Sequence, residues 1–385
     1  MKIPSLILSF VLFQQCVFAE AEKLIPHDPA NLSLRNEVQH AIDKGLAWLV
    51  TKQNVNGYWD MQDHPALTAL VLTAYERDPS GQYKEAESVK KGFDFLLSCA
   101  HPDGGIYKKN ELLNYNTSVS VMALLATGDS KYEPLLRKAR MFLIGQQMPV
   151  EKGKVNPYAG GIGYGDDDPH SDMSNMVFAL EALHYTSHLQ GNSEAPASKE
   201  KDLDWQAAID FLQRCQNLPG TNKADWVSED VKDKGGFVYT PDESPAGETK
   251  LPNGRTVMHS YGSMSYAGLL SYIYAGLKHD DPRVTAVIDW VRNNYTLEKN
   301  PAVGKEGLYY YYHTLAKALA TYGEGRLKLA DGKEIDWRND LAKQMINLQH
   351  DEGYWVNDNG RYWEKDPVLV TAYSVLALEV VYRAQ

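Results

Sequence analysis

The sequence predicts an all-α fold, a closed (α/α)6 barrel made of six helix hairpins. Three observations predict it. A short sentence, Lys44 to Trp59 (KGLAWLVTKQNVNGYW), returns near the other end as Gln349 to Trp355 (QHDEGYW), and weaker copies recur at intervals of roughly 50–60 residues. Each copy joins a first helix, ending in Phe/Trp-Leu and often Gln, to a second helix through a Gly-rich turn carrying an aromatic. The second helices are rich in small residues, such as Ala69 and Ala74, Ala179 and Ala182, or Ala316, Ala318 and Ala320. Small residues permit close approach, which suits an inner ring; the more charged first helices suit an outer one. No polar capping repeat stands at either end, so the array is expected to close on itself rather than stack as an open superhelix.

The hairpins follow in order. In the first, Glu37 to Gln53 places Val38, Ile42, Leu46 and Leu49 at helical spacing, Gly57-Tyr58-Trp59 turns, and Pro65, suited to a first helical turn, opens a helix to Tyr75. The second runs through residues 90–107 to a helix over Asn116 to Thr127. The third has Ala139 to Gln147, the turn Gly160 to Tyr164, and a helix from Pro169, capped by Asp168, to His188. The fourth has Trp205 to Gln216, Gly235-Gly236-Phe237, and Ser260 to Leu277. The fifth has Pro282 to Tyr295 and Gly307 to Tyr322. The sixth has Trp337 to Gln349, Gly353-Tyr354-Trp355, and Pro367 to Tyr382. Gly191 to Lys201 reads as an exposed loop, Asp225 to Lys234 as an insertion, and Pro241 to Arg255 as a stretch long enough to be a flap over something.

Of 385 residues, 43% are hydrophobic and 23% charged, which is globular composition with ample length for a core. The formal net charge of −11, with no basic patch, argues against nucleic acid as a partner. Residues 1–21 read as a signal peptide: Lys2, the short apolar run Ile3 to Phe13, then Ala19 and Ala21 at the cleavage region. No later run reads as long and apolar enough to span a bilayer. Residues 22–385 are then one exported domain, secreted or periplasmic. Cys99 and Cys215 occupy the same place in hairpins that are not neighbours, so two buried free thiols are expected rather than a bridge.

The pattern Lys44-Gly45, Trp48-Leu49, Gln53, Gly57-Tyr58-Trp59 resembles the QW repeat of squalene–hopene and oxidosqualene cyclases. Gln349 to Trp355 matches its second half; Phe142-Leu143 with Gln147 and Phe211-Leu212 with Gln216 match in part. The chain thus resembles the prenyltransferase/squalene-cyclase repeat superfamily, in particular its single-barrel secreted bacterial members. The resemblance implies an α/α toroid. The motif's own job is structural, because a Gln amide satisfies free backbone groups at helix ends and an aromatic staples neighbouring units. The cyclases protonate an alkene with an acid in a D-x-D-D sequence. Here the matching stretch is Asp172-Met173-Ser174-Asn175, with Ser174 in place of the proton donor. A serine is too weak an acid for that step. Protein prenyltransferases hold zinc through Asp-x-Cys and a His; Tyr311-Tyr312-His313-Thr314 resembles the His segment, but Met258 to Tyr261 offers no Asp or Cys. The Cys-Gly-Glu-Gln of complement-like thioester domains is absent.

If the turns share one end, the residues opening the second helices converge there. Asp172, His170 and His313 are the acid/base candidates; His64, His259, Tyr261, Tyr312, Trp363 and Asp366 are candidate ligand contacts. His170, His259 and His313 with a carboxylate would also form a donor set for Zn²⁺, and Asp166-Asp167-Asp168 one for Ca²⁺, although the sequence demands no cofactor. The four consecutive tyrosines Tyr309 to Tyr312 point all ways on a helix, so some face the interior. Aromatic walls suit a terpenoid through cation–π contact with carbocations, and suit sugar rings by stacking. The expected partner is a small molecule or glycan in the barrel cavity. Three functions stay open: a terpenoid-cyclase-like enzyme with altered chemistry, a carbohydrate-active α/α barrel, or a non-catalytic scaffold.

Overall fold

The computed structural model describes residues 32–165, 170–190 and 202–384. The stretch expected to be a signal peptide, the Asp166 to Asp168 run, Pro169 and all of the expected loop from Gly191 to Lys201 lie outside the described residues. Twelve α-helices are present among those described: α1 Leu32–Val50, α2 Pro65–Arg77, α3 Glu87–Ser98, α4 Leu113–Ala126, α5 Glu133–Gly145 and α6 Met173–Tyr185, then α7 Trp205–Cys215, α8 Gly262–Tyr274, α9 Pro282–Asn294, α10 Leu308–Tyr322, α11 Trp337–Leu348 and α12 Pro367–Ala384. The even-numbered helices pack each on the next, and α12 packs back on α2, so the array closes into an α/α toroid. The odd-numbered helices lie outside; α1 bridges the seam by packing on α11 and α12.

The repeat motif builds this ring through the same bonds in the first, third, fourth and sixth hairpins. Gln53 Nε2 donates to Gly57 O in its own turn (2.9 Å) and to Ser88 O at the start of the next outer helix (2.7 Å). Gln147 and Gln216 repeat this toward Asp204 O and Arg283 O. Gln349 donates to Gly353 O and to Ala41 O, both 2.9 Å, which ties the last turn to the first helix across 308 residues. Trp59 and Trp355 are fully buried and donate their indole N–H to Leu49 O and Met345 O. The turn glycines are obligatory: at Gly57 (φ 93°) and Gly353 (φ 102°) a Cβ would collide with the carbonyl oxygens of Lys91 and Lys44 on the next outer helix. Among the described residues, Cys99 and Cys215 are buried free thiols, as their register predicts.

Three expectations change. α6 begins at Met173, not Pro169, because Asp172 is its N-cap and accepts from Asn175 N at 2.9 Å. The stretch 241–255 is no flap. It forms an antiparallel hairpin, β1 Glu248–Lys250 with β2 Thr256–Met258, laid on the neighbouring insertion through Met258 N to Trp226 O and Arg255 Nη2 to Val227 O. α12 has the length and apolar character of a membrane span, and it is the core position against α2, α10, α11 and α1 that accounts for them. A second short hairpin pairs β3 Leu327–Lys328 with β4 Glu334–Ile335.

Candidate functional site

Every inner helix sends a residue into one cavity on the ring axis, of ≈480 Å³. Leu67 comes from α2, Tyr115 from α4, Ser174, Asn175 and Phe178 from α6, Met264 from α8, Tyr310 from α10 and Tyr373 from α12. The volume is that of a small-molecule site, within the usual range of about 300–1,000 Å³. Half of its lining, 9 of 18 residues, is aromatic. Edge and tilted ring contacts link the walls: Tyr115 with Phe178 at 5.0 Å, Phe178 with Tyr310 at 6.1 Å, and Tyr310 with Tyr373 at 5.9 Å. Of the four consecutive tyrosines only Tyr310 lines it. Tyr311 and Tyr312 turn away and donate to Thr296 O and Leu297 O.

The mouth carries a segment of which sequence reasoning named Trp363 and missed Arg361 and Tyr362. Arg361, Tyr362 and Trp363 line the cavity, with Tyr362 and Trp363 about half exposed and both left-handed (φ 57° and 63°). Glu364 fixes this segment. Its buried carboxylate accepts from Tyr310 N (2.8 Å), Tyr309 N (3.0 Å) and Asn357 Nδ2 (2.6 Å), so it caps the start of α10 from the next hairpin's turn. Burial pushes its carboxyl up to about 6, against the pull of those bonds. The Trp363 ring meets His64 at 5.5 Å in a tilted contact. Asp366 caps α12 through Val368 N (2.7 Å) and shares a hydrogen bond with the Asp60 carboxyl, whose pKa burial raises to about 7.

Asp172 lies behind the cavity wall. It accepts from Ser174 Oγ (2.7 Å), Asn175 N (2.9 Å) and Asn175 Nδ2 (2.7 Å), and Tyr239 also bonds to it. Burial raises its carboxyl above the ordinary range and those bonds oppose the rise. It thereby aims Ser174 and Asn175, which do face the cavity. A side groove lined by Tyr158, Tyr164, His170, Asp172, Asp242 and Glu243 adjoins the cavity, sharing Tyr164 and Tyr239 with it. The Tyr158 hydroxyl donates to Asp242 there.

The three histidines are not brought together. His170 stands in the side groove against the Tyr158 ring. His259 pins the β1–β2 hairpin, with Nδ1 3.1 Å from Asp233 Oδ2 and Nε2 2.8 Å from Thr249 Oγ1. His313 lies deeper, stacked on Tyr373 beside a small void of ≈40 Å³ that also holds the buried Lys317–Glu181 pair (2.5 Å). Burial, with Lys317 and Arg77 near, holds His313 well below its ordinary range, so it is neutral. Of the nine candidates, Tyr261 and Trp363 line the large cavity, Asp172 and His170 the groove, and His64 touches the mouth through Trp363. Among the described residues no group of three or more His, Cys, Asp or Glu side chains could hold a metal ion.

This is the architecture of an α/α toroid with an axial cavity, and known structures share it. No family model matches the chain, and no curated protein does. A variant of the type II terpene cyclase MstE from Scytonema, in complex with merosterolic acid A, superposes with a TM-score of 0.54 at 13% identity, over 92% of this chain and 99% of that one. A second variant of the same cyclase, without ligand, gives 0.53 at 13% identity, over 91% and 98%. The GH76A α-1,6-mannanase from Salegentibacter sp. HEL1_6 gives 0.55 at 10% identity, over 89% and 98%. At these identities the likeness is one of fold.

Proposed function

We propose that this chain is an exported, terpenoid-cyclase-like toroid that holds an unsaturated isoprenoid chain in its axial cavity without the family's alkene-protonating step. The carrying observation is the cavity wall: nine aromatic rings, and no carboxylic acid among the described lining residues. Aromatic faces gain from burying an apolar polyene and from any cationic character in it. Ser174 occupies the place of the proton donor, and its hydroxyl hydrogen is committed to Asp172. The similarly folded cyclase MstE holds merosterolic acid A or geranylgeranyl dihydroxybenzoate, which supports an isoprenoid as occupant. The test is mass spectrometry of lipids and glycans co-purifying with the protein from its native host, followed by fluorescence titration with geranylgeraniol and gas chromatography of the mixture. Saturable binding with unchanged polyprenol supports the reading; absence of any isoprenoid, bound or co-purified, overturns it.

A carbohydrate-active reading rests on the side groove, where Asp242, Glu243 and His170 stand together next to stacking tyrosines. Release of reducing ends from an α-mannan, lost in Glu243→Gln, would favour it.

A further inference from the structure

Resting on the isoprenoid reading, we infer that Arg361 selects a ligand with a single anionic head, a carboxylate or a phosphate, on its apolar chain. The cavity's lining is otherwise uncharged among the described residues: aromatic rings, Leu67, Leu112, Met264 and Leu369, with Ser174, Asn175 and Ser263 as neutral polar groups. Arg361 is the one charge among them, and it stands at the mouth, not at the floor. A ligand that fills this site therefore meets apolar surface along its length and a guanidinium at its exit. An amphiphile with its head outward matches that polarity; a hydrocarbon without a head leaves the cation unused.

The backbone that carries the cation is held in place, and the cation has no carboxylate of its own among the described residues. Its backbone N–H donates to Asn359 Oδ1 at 2.8 Å, Asn359 N donates to Asn357 Oδ1 at 3.0 Å, and Glu364 ties the segment to α10. The guanidinium lies over the Tyr362 ring at 5.2 Å. Tyr362 raises its pKa most, and Glu306 and Glu243 add to the rise from a distance, yet no ion pair joins it to a described carboxylate. A planar, exposed fork over an aromatic face suits bidentate bonding to a carboxylate or phosphate. A charge-assisted bond of this kind at an exposed rim corresponds to about tenfold in affinity.

Titrations with geranylgeranoic acid, geranylgeranyl phosphate and geranylgeraniol, on the wild-type chain and on Arg361→Gln and Arg361→Lys, test this. Circular dichroism checks that each variant folds. The expected result is that one or both anionic ligands bind about tenfold more tightly than the alcohol, that added salt narrows the gap, and that Arg361→Gln brings the ratio of anion to alcohol affinity down to about one. Which anion gains more, and whether the Arg361→Lys variant retains the gain for phosphate only, separates the two head chemistries. Equal binding of all three, untouched by Arg361→Gln, overturns the inference and leaves the isoprenoid reading standing. No binding of any of the three overturns the reading beneath it.

Discussion

Glu364 offers the sharpest prediction, because two opposing effects of similar size act on one carboxyl that positions the cavity mouth. Burial favours the neutral acid; three N–H donors and the start of α10 favour the carboxylate. Burial wins, and the pKa rises from the ordinary 4.5 to about 6. The folded protein then binds the proton more tightly than the unfolded chain. The associated stability is fully present below about pH 4.5 and is lost as pH rises through about 6. At 1.36 kcal/mol per pH unit, the loss is about 2 kcal/mol. Glu364→Gln removes this titration. The variant has its own cost, since an amide –NH₂ must then face Asn357 Nδ2 at 2.6 Å, so the readout is the pH slope and not the absolute stability. Urea denaturation between pH 4 and 7 should show the wild type losing about 2 kcal/mol relative to the variant. The other buried carboxyls, Asp172 and the Asp60–Asp366 pair, are common to both proteins and cancel. If the wild type instead gains on the variant as pH rises, the hydrogen bonds outweigh burial and the reasoning is wrong.

Other outcomes follow from the same bonds. Gln349→Ala removes the side-chain donor that joins Ala41 O to Gly353 O and should cost about 1–3 kcal/mol, with faster hydrogen exchange in α1; Gln53→Ala should cost as much but open α3 instead. Equal exchange in α1 for both variants would argue that the seam is not a distinct weak point. Gly353→Ala adds a Cβ against Lys44 O at a left-handed φ and should lose about 3 kcal/mol or more, whereas Gly81→Ala, also left-handed but with nothing within 4 Å, should lose only about 1 kcal/mol in thermal or chemical denaturation. Trp363→Ala, at a half-exposed position over His64, should weaken geranylgeraniol binding about tenfold while leaving the urea midpoint within error.

The sequence by itself determined the ring. Its motif bonds reach only from a helix end to the following turn and the next hairpin, so Gln53, Gly57 and Trp59, and their returns at Gln349, Gly353 and Trp355, can be read as a repeat without knowing where anything lies in space. Its resemblance to the cyclases also raised the expectation that Ser174 stands in place of their acid. The tertiary structure decided the site. The inner helices are buried on nearly every side: in α2, eleven consecutive residues from Pro65 to Tyr75 are buried. Hydrophobic periodicity therefore marks no face as the one toward the axis, and nothing in the pattern separates Tyr310 from Tyr311 and Tyr312. Three histidines opening three inner helices read alike in sequence; the fold gives one to a groove, one to a hairpin and one to the core, because each meets a different neighbour, Tyr158, Asp233 or Tyr373. Arg361 and Glu364 sit in a loop without regular spacing; only packing of the sixth hairpin on the fifth brings that loop over α10, and only closure of the ring sets its Trp363 against His64.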